Sequence, residues 1–141
     1  MIPVPSKKQS AAKPPDETVF FIDRSLGIDP IRTELIKIGL TVEIHDDHFA
    51  RDEEDRAWLR VVGERGWVVL TKDQRLRYRP LEIAALRASN ARVFVLTAGN
   101  LRGIEIAAVF VTALPRIFTL LHSVPGPFVA RVLQSGHVKL T

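Results

Sequence analysis

The sequence predicts an α/β fold built on a mainly parallel sheet. Short apolar runs rich in β-branched and aromatic residues recur at 19–22, 41–44, 67–70 and 92–96, the mark of buried strands. The segments between them repeat their apolar residues at helical spacing. Strands that alternate with helices are joined by crossovers and pair in parallel. The usual order of four such strands is 2-1-3-4, with a switch point between the first and third, and ligands of open α/β sheets bind at the carboxyl ends of the strands there.

Residues 1–17 are rich in Pro, Lys, Ser and Ala without periodicity, which predicts a flexible tail and leaves 18–141 as a single domain. After the first strand, Asp29-Pro30 reads as a helix cap followed by proline at the first helical position. Ile31, Leu35 and Ile38 form that helix's apolar stripe, and Gly39 ends it. A second helix is expected over 52–64, with Ala57, Trp58, Val61 and Val62 on one face and Gly66 closing it. A third spans about 80–89, again with proline at its start.

Asn100 is the expected cap of a long helix carrying Leu101, Ile104, Ala108, Val111 and Leu114, which Pro115 should kink or end. Residues 128–141 alternate apolar and polar around Ser135-Gly136, which predicts a terminal hairpin or edge ribbon. Such a ribbon could pair with another strand, as in a homodimer, or cover the edge of its own sheet.

Composition narrows the function classes. There is no cysteine, which removes disulfides and thiolate metal sites. Glu105, Pro115 and Arg116 interrupt the most apolar stretch, so no membrane association is expected. The first residues carry lysines but no apolar segment of the secretory kind, and a cytoplasmic location is the expectation. A net charge of +4 favours acidic partners such as nucleic acid without specifying one.

Asp23 closes the first strand and Asp73 follows the third. In the 2-1-3-4 order both leave the sheet at the switch point. Hard divalent cations such as Mg²⁺ prefer oxygen ligands, and two strand-end carboxylates suit one. The second helix offers a third acid; helical phase puts Glu54 and Asp55 on or beside its buried face. Asp52 and Glu53 read as acids complementing the helix dipole. His45-Asp46-Asp47-His48 looks like a ligand run, but adjacent residues rarely converge on one ion, so it reads as a loop from which Asp46 or Asp47 could join the cluster. Arg75, Arg77 and Arg79 alternate with Leu76 and Tyr78 just after Asp73, and Arg24 and Lys72 flank the two aspartates. Arginine suits phosphate and tyrosine can stack on a base, so the pattern is an acidic centre rimmed by RNA-binding charge.

Three stretches, FFIDRSLG (20–27), DRAWL (55–59) and GWVVLTKDQRLRYRP (66–80), resemble the PIN-like domain family, in particular its VapC-type toxin ribonuclease branch. The resemblance covers residues 19–121. It implies a three-layer α/β sandwich and RNA cleavage by a water that Mg²⁺ (or Mn²⁺) activates. Carried over, the catalytic and metal-binding acids are Asp23, Asp55 and Asp73, with Glu54 the rival of Asp55. A small antitoxin partner is implied as well. The sequence departs from the family pattern after the fourth strand, where only Asn100 stands in place of a further acid, and after Asp73, where a second acid is missing. The competing readings are a non-catalytic RNA-binding module and a phospho-acceptor domain. The latter normally needs paired acids after the first strand, and Asp23 is followed by Arg24.

Overall fold

Phe20 and Phe21 point to opposite faces of one strand and enter two separate cores. The computed structural model describes residues 18–141, and the expected tail at 1–17 lies outside the described residues. Strand β1 (Val19–Ile22) is flanked by β2 (Thr41–Ile44) and β3 (Val68–Thr71), both parallel to it. Strands β4 (Arg92–Leu96) and β5 (Phe128–Val132) extend the parallel sheet, and β6 (Val138–Leu140) closes it antiparallel. The order is β2-β1-β3-β4-β5-β6, which contains the expected 2-1-3-4. The C-terminal ribbon is a hairpin turning at Gly136, and it covers the edge of its own sheet.

Among the described residues, four α-helices make the outer layers. Helices α1 (Ile31–Lys37) and α4 (Gly103–Ser123) pack on the face bearing Phe20, Ile22, Leu70 and Phe94. Helices α2 (Asp55–Glu64) and α3 (Pro80–Ser89) pack on the face bearing Phe21, Val69, Val93 and Val95. A sheet buried on both sides explains why the central strands read as continuous apolar runs rather than alternating ones.

Several boundaries depart from expectation. Strand β3 runs one residue later than 67–70, so Thr71 is a sheet residue while Trp67 stacks beside Phe21. Pro30 itself stands at the cap of α1; Asp29 accepts the Thr33 amide and hydroxyl at 3.0 and 2.7 Å, satisfying the helix start from one residue further back. Ile38 is half exposed just past the end of α1. Helix α2 begins at Asp55, so Asp52 and Glu53 precede it and Glu54 is its cap.

Helix α4 begins after Arg102, not Asn100, and its buried face carries Ile106, Phe110, Ala113 and Ile117, while Ile104 and Ala108 are exposed. The helix is apolar on most of its circumference, so periodicity could not choose the face. It runs through Pro115 to Ser123, because the proline sits on the exposed side and the opposite face is held against the sheet. By length and composition α4 could cross a membrane; here that apolar face lies in the core.

Helices α2 and α3 meet closely where Gly63 faces Ser89. The Ser89 hydroxyl donates to the Ala85 carbonyl at 2.8 Å, and a Cβ at position 63 would stand 2.7 Å from the Ser89 Cβ and 3.0 Å from that of Ala91. Gly→Ala in a helix interior ordinarily stabilises by about 1 kcal/mol. Here overpacking wins, and Gly63→Ala is expected to destabilise by about 1–3 kcal/mol, read as a lower urea midpoint.

Candidate active site

Asp23 leaves β1 at its carboxyl end and is only 7% exposed. A buried carboxylate is tolerated when hydrogen bonds replace its water. Two hydroxyls do so: Oδ2 accepts from Ser25 Oγ at 2.7 Å and from Thr71 Oγ1 at 2.8 Å. The β1–β3 register pairs Ile22 with Leu70, which sets Asp23 level with Thr71 and makes that contact possible. Thr71 Oγ1 also accepts the Asp73 amide at 3.0 Å, and Ser25 Oγ accepts the Lys72 amide at 3.1 Å. The two hydroxyls tie the turn after β3 to the turn after β1.

Asp55 is brought in by the first turn of α2. Its Oδ1 accepts the Trp58 indole N–H at 3.0 Å, and that indole is packed against Phe21 and His45. Burial pushes the Asp55 carboxyl above the usual carboxylate range; the Trp58 bond works against this, and the charges of Asp23, Asp73 and Glu82 add to it. Asp23, Asp73 and Glu82 thus lie within electrostatic reach of Asp55. Glu54, the rival, is exposed and pairs with Arg56 at 2.8 Å.

Asp73 accepts the Arg75 guanidinium through both oxygens, at 2.9 and 3.2 Å, and the Arg75 amide at 3.1 Å. Burial raises its pKa, but the Arg75 hydrogen bonds, with the charges of Arg75 and Arg79, outweigh this and leave it lowered. One acid of the group is thus held charged while another is pushed toward protonation, a contrast typical of functional sites.

The remaining expected residues divide. Lys72 and Tyr78 are exposed beside the acids. Arg77 reaches Gln74 Oε1 at 3.3 Å, with its Nε buried. Arg24 turns away toward the loop after β2, where it meets Asp46 at 3.1 Å and the Arg51 carbonyl at 3.2 Å. Asp46 is thereby engaged, and Asp47 lies in the same short turn. His45 is 3% exposed and sits among Phe21, Phe49 and Trp58 as part of the aromatic packing behind Asp55. Asn100 is an exposed loop residue in the left-handed conformation. Glu82 is the acid that sequence reasoning missed. Its position in the first turn of a proline-started helix is where acids commonly complement the dipole, so nothing in the pattern singled it out.

Among the described residues, no three His, Asp or Glu side chains stand close enough, as oriented, to hold a metal ion. The donor chemistry nevertheless fits one. The gathered groups are all carboxylates, Asp23 Oδ1 accepts no hydrogen bond within the described residues, and the repulsion on Asp55 is what a cation would relieve.

Two outcomes follow. Thr71→Val should destabilise by about 1–3 kcal/mol, because the buried Asp23 loses a donor, while Thr71→Ser should cost less; urea melts distinguish them. Asp55→Asn retains an acceptor for Trp58 and removes the repulsion. The folded-state pKa of Asp55 is raised, so the wild type loses stability as pH rises through it. The variant should therefore show the higher urea midpoint at neutral pH. That advantage should fade as pH falls through the unfolded value of about 3.9 and be gone about a unit below it, where the wild-type carboxyl is protonated in both states.

Residues 18–98 match a family model described as a PIN like domain. A protein of Mycobacterium tuberculosis named "Putative ribonuclease VapC45" is 27% identical over 124 residues, covering 85% of this chain and 89% of that one. No solved structure matches. The span that the family model matches runs from β1 to just past the end of β4 and contains Asp23, Asp55 and Asp73, and the chain belongs to the PIN-like domain family.

Proposed function

We propose that this protein is a metal-dependent endoribonuclease and the toxin of a toxin–antitoxin pair. The observation that carries the reading is that Asp23 and Asp73 leave the carboxyl ends of adjacent parallel strands joined through the Thr71 hydroxyl, with Asp55 within reach of their charge. The likeness to a protein named as a ribonuclease supplies the substrate class. Asp23, Asp55 and Asp73 would hold Mg²⁺ or Mn²⁺, with Glu82 beside them. Bound there, the ion supplies Lewis acidity toward a phosphodiester and a nucleophilic water at neutral pH.

The protein's own residues do the rest. Ser25 and Thr71 fix the Asp23 carboxylate, and Trp58 fixes that of Asp55. Arg75 keeps Asp73 charged. Lys72, Arg75, Arg77 and Arg79 present phosphate-binding charge on the turn that carries Asp73, and Tyr78 offers a ring to a base. Arg24, held by Asp46, serves RNA only if that pair opens. The same reading puts the protein in the cytoplasm, restrained by a small protein partner.

Two features favour the non-catalytic RNA-binding alternative: Asp73 is occupied by Arg75, and among the described residues the acids are not drawn together as a ligand set. Incubation of the purified protein with structured RNA and Mg²⁺ or Mn²⁺ decides between them. Cleavage is expected, with losses of more than about a hundredfold in Asp23→Asn and Asp73→Asn, both still folded by circular dichroism. Binding that EDTA leaves untouched, without cleavage, would select the alternative.

A further inference from the structure

The α2–α3 face of the sheet is unevenly covered. Helices α2 and α3 pack chiefly over β1, β3 and β4; on that face of the ribbon only Val129 of β5 reaches their core, among the described residues. In β5, Phe128, Ala130 and Val132 are buried toward α4, so Val129 and Arg131 point the other way. The β5–β6 register sets Lys139 directly opposite Arg131, on the same face. Beside them runs a groove between α3 and β5 whose lining includes Arg77, Arg87, Leu86, Val129 and Thr141; it holds no Asp or Glu side chain, and the α-carboxylate of Thr141 lies just past its edge strand β6.

Arg77 and Arg87 line that groove, and Arg131 and Lys139 stand on the same face of the adjoining ribbon; groove and ribbon form the strip. Among the described residues, no carboxylate forms an ion pair with any of them. The Nε atoms of Arg77 and Arg131 are buried donors without an acceptor. Like charges directly opposite in an antiparallel pair are destabilising, a cost that an anion lying across Arg131 and Lys139 would remove. The strip also points at the acids. Val95 pairs with Thr71 on one side and with Arg131 on the other. Arg131 is therefore level with Thr71, two strand spacings or about 10 Å away, and with Asp23, three spacings or about 14 Å away.

We propose that this strip carries the sugar–phosphate backbone of single-stranded RNA away from the acidic edge. Arg131 and Lys139 take one or two phosphates, Arg77 and Arg87 the next, and Val129 and Leu86 form an apolar floor. The choice of RNA over other polyanions rests on the ribonuclease reading; the strip itself rests on charge and register.

The test is fluorescence anisotropy of a labelled single-stranded oligoribonucleotide of about 20 nucleotides, in EDTA to prevent metal-dependent cleavage. Arg131→Gln/Lys139→Gln should weaken binding by about tenfold and reduce the slope of log affinity against log salt by about 1.4. Arg87→Gln should weaken it by about threefold. The control is Lys37→Gln/Arg116→Gln, which removes the same charge from exposed positions on the α1 and α4 layer. If the double variant on the ribbon does not fold, the exposed Lys139→Glu replaces it, with the same tenfold loss expected. Ribbon variants that bind no worse than the control overturn the proposal and leave that face to a protein partner. So does a wild type with no salt-dependent affinity. Cleavage with RNA affinity indifferent to the ribbon sinks the strip alone, whereas ribbon-dependent binding without cleavage sinks the nuclease reading alone.

Discussion

The buried carboxylate of Asp23 imposes the constraint on which the site depends. A charge at this depth needs donors from its surroundings, and the fold supplies two hydroxyls. One of them, Thr71, is delivered by a neighbouring parallel strand rather than by a neighbouring residue. The Asp23–Thr71 contact therefore requires β1 and β3 to be adjacent and in register. Once made, it also places the Asp73 amide, because Thr71 Oγ1 accepts from it. A single shared hydroxyl thus relates both strand-end aspartates.

Charge around that anchor is graded. Asp55 is pushed toward protonation by burial and by its acidic neighbours, while Asp73 is held ionised by Arg75. The aromatic packing of Phe21, His45 and Trp58 gives Asp55 a rigid backing, since the indole that donates to it is itself fully buried. On the far side of β4 the charge changes sign, and the ribbon presents cations without acidic partners. Acids at the switch point and cations two strands away form a surface with one repulsive and one attractive zone for a polyanion, a separation suited to placing one phosphate near the acids while others are held at a distance.

The sheet order and three of its four central strands were legible because buried parallel strands leave long apolar runs, and Asp23 and Asp73 because they punctuate such runs. Helix α3 was legible for a local reason, the proline at its start. The start of α2 was not, because Asp52, Glu53, Glu54 and Asp55 are all plausible first-turn acids and only packing of Trp58 determines where the helix begins. The face of α4 was hidden by its nearly uniform apolarity. The His45-Asp46-Asp47-His48 run reads as a loop, and it is a short turn, but the sequence could not show that His45 is a packed ring turned inward toward Phe21.

By itself the sequence determined the α/β class, the strand order and the two aspartates that close adjacent strands, because these follow from local periodicity and from the few ways crossovers can be arranged. Tertiary structure alone decided which helix acid faces the pair, that Glu82 stands near it, and that Arg75 occupies the carboxylate of Asp73, whereas Arg24 joins Asp46 outside the pair. It also decided that Arg131 lies level with Thr71 across β4. Each of these depends on side chains far apart in the chain sharing a face or a register, and such relations exist only once the strands have paired.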